Sequence, residues 1–134
     1  MEDLVLNLNR QRKAYLKLKE LITFTSEAIK KEDWERAAQI SQAEEEIKKE
    51  IIDLSRKVSH IFSSPLPPLV KEALFGLVQA AIEVKENMAE VISLIESYRE
   101  KGRVEKEMWQ KVKGTFYAYQ KHTSISPRFL QKNV

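Results

Sequence analysis

Three times along this chain, apolar residues recur every three and four positions, and that spacing constrains the fold more than any other feature. Leu4, Leu8, Gln11, Tyr15, Leu18, Ile22, Thr25 and Ile29 keep a strict 4-3-4-3 step. On a helix this step keeps one narrow stripe facing a neighbouring helix through successive heptads. The same step returns at Ala37, Ile40, Glu44, Ile47, Ile51, Leu54, Val58 and Ile61, and again at Val70, Leu74, Leu77, Ala81, Val84, Met88, Val91, Ile95 and Tyr98.

The breaks between the repeats set the helix ends. Lys30 and Lys31 complement the negative end of a helix dipole, and Asp33 is placed to cap a second helix with Glu35 in its first turn. A connection this short, at residues 31–33, makes the first two helices antiparallel. Ser63-Ser64-Pro65-Leu66-Pro67-Pro68 ends the second helix near Phe62, because proline lacks the backbone donor and drives the residue before it out of the helical region. Gly102 follows the third repeat as a left-handed C-terminal cap. Helices of roughly 28 to 33 residues rise about 42 to 50 Å each, a common length over which the stripes bury one another. The predicted fold is all-α: one domain over 1–134, with an elongated antiparallel three-helix bundle of coiled-coil-like packing at 1–101. A short C-terminal helix and tail at 102–134 follow as the partner-binding segment.

Composition agrees. With three glycines, four prolines and 32% charged residues, the chain favours helix over loop-rich folds. It has no cysteine, hence neither a disulfide framework nor a thiolate metal site, which suits a reducing compartment. No leader-like apolar run opens the chain and no stretch nears 18 uncharged apolar residues, so a soluble, cytoplasmic protein without membrane insertion is expected. The net charge of +3 is unevenly spread. Residues 3–31 carry seven basic against three acidic groups, a net +4; 33–62 and 69–101 each come to −2; and 102–134 carry seven against two, a net +5. Two acidic helices can therefore flank a basic first one.

Residues 103–134 depart from the pattern. Met108, Trp109, Val112, Phe116 and Tyr119 form a stripe of about four turns, too short to match the other rods, and this segment holds five of the chain's eleven aromatics. Gly114 weakens the helix by roughly 1 kcal/mol relative to alanine. Such a stripe either folds back as core or lays its apolar face on a partner. Aromatic and methionine enrichment at interfaces favours the second reading.

Catalytic chemistry is not indicated. His60 and His122 fall at a helix end and in the tail, and no metal-binding, nucleotide-binding or carboxylate-histidine spacing accompanies them. Glu44-Glu45-Glu46 reads as a solvated face, except that Glu44 falls on the apolar stripe and needs a partner such as Arg10 or Lys17, or a splayed bundle end. Arg10, Arg12 and Lys13 also read as solvated. The basic, aromatic C-terminal segment lacks the density and motif of a nucleic-acid site. The expectation is a protein without enzymatic activity, metal or cofactor that does not bind nucleic acid.

The segment LKLKELITFTSEAIKKEDWERAAQISQAEEEIKKEIIDL, residues 16–54, resembles the flagellar type III export chaperones of the FlgN/FliT type. The likeness lies in an apolar helix, a turn with Glu32-Asp33-Trp34, the step Ala43-Glu44-Glu45-Glu46, and the pair in Ile51-Ile52-Asp53-Leu54. Asn87 within the third helix and Tyr117 to Tyr119 before a short tail are similar too. The resemblance implies a cytoplasmic chaperone that binds hook-filament junction or filament-cap subunits by their C-terminal helices and delivers them to the export gate. Met108, Trp109, Val112, Phe116 and Tyr119 would be the grip, with Tyr117 or Tyr119 touching the gate. Gly114 and the tail Ser126-Pro127-Arg128-Phe129 depart from the family pattern. A second reading, from the heptads themselves, is a coiled-coil scaffold or adaptor that acts through self-association, in its simplest form a homodimer.

Overall fold

The computed structural model describes residues 2–59, 65–102, 107–108 and 110–112. Three long helices are present, α1 (Glu2–Lys30), α2 (Trp34–Val58) and α3 (Pro68–Glu100), and no strand occurs among the described residues. The all-α bundle expected from the repeats is the fold that forms. Residues 107–108 and 110–112 are helical as well.

α1 packs against both α2 and α3 and is the helix they share. The Asn7 amide donates to the Leu54 carbonyl (3.1 Å) near one end of α1 and Thr25 meets Glu44 (2.7 Å) towards the other, so α2 runs antiparallel to α1. Lys19 meets Glu83 at 3.2 Å and the Tyr98 hydroxyl donates to the Lys30 carbonyl (3.4 Å), so α3 runs parallel to α1. The basic helix thus lies between two acidic ones. The exposed Lys19–Glu83 pair itself contributes at most about 1 kcal/mol.

All eight residues of the α1 stripe are buried, Gln11 and Thr25 included. The Gln11 side chain donates to Asn7 Oδ1 (2.7 Å), which satisfies its amide at the seam. On α2 the stripe is buried at Ala37, Glu44, Ile47, Ile51, Leu54 and Val58, while Ile40 is half-buried. On α3 the closely packed alanine is Ala80 rather than the expected Ala81, and Tyr98 is half-buried. A helix advances 3.6 residues per turn rather than 3.5, so a straight rod drifts off a strict heptad stripe along its length.

The helix ends follow local chemistry. Asp33 caps α2, its carboxylate accepting from the Arg36 N–H at 3.2 Å. α1 ends in a Schellman turn: the Glu32 N–H reaches the Ile29 carbonyl and the Asp33 N–H the Ala28 carbonyl, both at 2.9 Å. That turn puts Glu32 at φ 56°, a left-handed position usually given to glycine. Gly102 takes the same role after α3, at φ 66°, its N–H on the Arg99 carbonyl. α2 ends at Val58 rather than near Phe62, and Ile61 and Phe62 lie outside the described residues. Pro68 belongs to α3 as its first residue, where a missing N–H costs nothing.

Candidate partner-binding site

Gly102 follows α3 in a left-handed conformation, and beyond it Met108 and Lys111 lie beside α2. Met108 and Lys111 border an open cavity of about 600 Å³ whose other wall is Glu35, Ala38, Gln42 and Glu45 of α2. Helical spacing puts Ala38 and Glu45 about half a turn round α2 from Ile40 and Ile47, so the segment borders an edge of α2 distinct from the stripe that packs on α1.

Val112 is fully buried and joins the same core cluster as the three long helices, whereas Met108 is only half-buried. The apolar edges of the three rods are therefore not closed by one another alone, since a side chain of the C-terminal segment completes the core. Trp109, Phe116, Tyr117 and Tyr119, the remaining residues of the expected grip, lie outside the described residues, as do His60 and His122.

Beside α2 the interior turns polar. Ser41, Glu44 and Lys48 follow one another at three and four residues, share one stripe of α2, and are all buried. Arg10 and Lys17 stay exposed, so Glu44 has neither partner expected for it. It meets the Thr25 hydroxyl of α1 (2.7 Å) and feels Lys48, one turn along its own helix. Burial pushes the Glu44 carboxyl up to about 7 against the pull of Thr25 and Lys48, and burial brings the Lys48 ammonium down to about 8 against the pull of Glu44 and Glu45. Desolvation disfavours each charged form, so the two shifts have opposite signs and one cause.

The Thr25 hydroxyl also lies 3.2 Å from the Leu21 carbonyl. One hydroxyl proton cannot serve two acceptors, but a protonated Glu44 can donate to Thr25 and leave the hydroxyl proton for Leu21. Glu44 Oε2 and Ser41 Oγ are buried and find no hydrogen-bond partner among the described residues. The sequence marks Glu44 through its place on an apolar stripe; it marks Lys48 only as the residue four further on, which a solvated-face reading passes over.

Among the described residues no group of His, Asp or Glu gathers as a metal site, and no helix is long and apolar enough to cross a membrane. Comparison with protein-family models, with curated proteins and with solved structures gave no match.

Proposed function

We propose that this chain is a cytoplasmic helix-capturing chaperone, of the kind that the resemblance to FlgN/FliT-type flagellar export chaperones suggests. Its clients are hook-filament junction or filament-cap subunits, held by their C-terminal helices and passed to the export gate. The observation that carries the reading is the contrast between Val112 and Met108. Val112 is sealed in the core while Met108 borders an open cavity against α2, and α2 also holds two buried polar atoms, Ser41 Oγ and Glu44 Oε2, that find no partner among the described residues. A short helix seated on such a floor leaves part of its contact potential unused, and an amphipathic helix of a client can extend it or replace it.

The test is calorimetric titration of peptides spanning the C-terminal helices of junction and cap subunits into the full chain and into its Val112→Asp variant. Saturable binding is expected. Tighter binding by Val112→Asp shows that the segment competes with the client; weaker binding shows that the segment is itself the grip. Failure of both chains to bind any of these peptides removes the chaperone reading.

A further inference from the structure

The wall that α2 turns to the open cavity has a regular chemistry. Glu35, Ala38, Gln42 and Glu45 are spaced 3-4-3 and so form one edge of the helix, and all four border the cavity. A carboxylate stands at each end of that edge, the two about 15 Å apart along the axis, with the small Ala38 and the Gln42 amide between them. Glu35 is exposed and Glu45 half-buried, and neither takes part in an ion pair among the described residues. Glu45 also attracts the Lys48 ammonium, which is buried and does not border the cavity. Lys111, which does border it, lies 3.9 Å from Glu107. Lys49, one turn past Glu45, is exposed outside the lining.

A helix laid on this edge takes Glu45 further out of water. An apolar or acidic side chain above it leaves a carboxylate buried without a counter-charge, which is costly. A lysine or arginine supplies that charge and covers apolar surface with its methylene stem. Ala38 leaves room for such a stem, and the flexible, half-buried Met108 adapts its shape to it. On a client helix, positions i, i+4, i+7 and i+11 share one face, and the outer two stand about 16 Å apart, close to the separation of Glu35 and Glu45. On the reading that a client helix is captured beside α2, we infer that the cavity is a charge-selective subsite for a helix with lysine or arginine at both i and i+11 and apolar residues at i+4 and i+7. That pattern is the same read from either end, so it fits α2 in both directions.

Calorimetric titration of two synthetic helical peptides into the full chain tests this. Both carry leucine at i+4 and i+7; one has lysine at i and i+11, the other glutamate. The lysine peptide is expected to bind saturably, to shift the Met108 methyl resonance, and to bind about tenfold or more tightly than the glutamate peptide. That preference should shrink as salt is raised. Glu35→Lys combined with Glu45→Lys should invert the order of the two peptides, with circular dichroism checking that the variant keeps its helices. The salt dependence is read on the unaltered chain and decides the matter if that variant does not fold. Equal binding of the two peptides, binding of neither, a Met108 methyl that does not move, a preference that salt leaves unchanged, or a folded double variant that still prefers lysine overturns the inference. Binding of junction and cap peptides tests the chaperone reading itself, so a chain that holds those peptides but shows no preference for lysine over glutamate loses this inference alone.

Discussion

Trp34 and Tyr98 meet edge to face, ring centroids 5.8 Å apart at 78°, and join the first residue of α2 to the last turns of α3. The Tyr98 hydroxyl reaches back to the Lys30 carbonyl (3.4 Å), so one aromatic contact closes the end of the bundle where all three helices come together. Trp34→Ala should lower stability by about 2 kcal/mol and Tyr98→Phe by less than about 1, the hydrogen bond being long. A double-mutant cycle on Trp34 and Tyr98, read by urea denaturation, should return a coupling of about 0.5 to 1.5 kcal/mol. Strict additivity would show that the rings do not hold the end together.

Glu44 makes stability depend on pH. Its carboxyl titrates near 7 in the folded chain against 4.5 for the unperturbed group. The folded state therefore binds more protons than the unfolded one across that window. The stability this confers is complete below pH 4.5 and is lost as the pH rises through 7. Stability should fall between pH 5 and pH 7.5 by on the order of 2 kcal/mol, and the melting temperature with it. Glu44→Gln keeps the size of the side chain and a partner for Thr25 but not the titration. Thermal melts of that variant should be flat over the same range, and an unchanged slope would assign the pH dependence to another group.

Lys48 gives the opposite sign in a higher window. Its ammonium is brought down to about 8 from 10.5, so the folded state releases its proton first. Stability attributable to it is present above pH 10.5 and is lost as the pH falls through 8. Replacement by methionine, which keeps the long apolar stem, should remove that alkaline rise and push the Glu44 carboxyl higher still, measurable by carbonyl-edited NMR titration. A Glu44 titration that stays in place would show that the two groups do not act on each other.

Glu32 holds a left-handed backbone angle that glycine adopts without strain. Glu32→Gly should therefore stabilise the chain by up to about 1 kcal/mol and Glu32→Val should destabilise it by more than that, since a β-branched side chain tolerates positive φ poorly. Chemical denaturation of the pair of variants checks the order, and a reversed ranking would mean that contacts of the Glu32 side chain outweigh the backbone.

Val112→Ala should cost about 1 to 2 kcal/mol, as removal of buried methyls from a closed core does. Gly76→Ala should have the opposite effect on stability, a gain of up to about 1 kcal/mol from helix propensity, because only the flexible Arg12 side chain stands near the added methyl. Melting curves of both variants check the two opposite signs.

Periodicity and punctuation were enough to specify three helices, their order and most of the buried stripe, because helix period, proline geometry and capping are local properties of the chain. The eight positions from Leu4 to Ile29, the cap at Asp33 and the turn at Gly102 are legible on that ground alone. Tertiary structure decided what local rules do not contain. It gave Glu44 to Thr25 and Lys48 rather than to Arg10 or Lys17, and it drew Val112 into a core that the three stripes do not close by themselves. It also left Phe75 standing in solvent beside Leu16. Each of these depends on the angle between helices and on which edge of a rod meets a neighbour, and a repeat of three and four residues does not encode that angle.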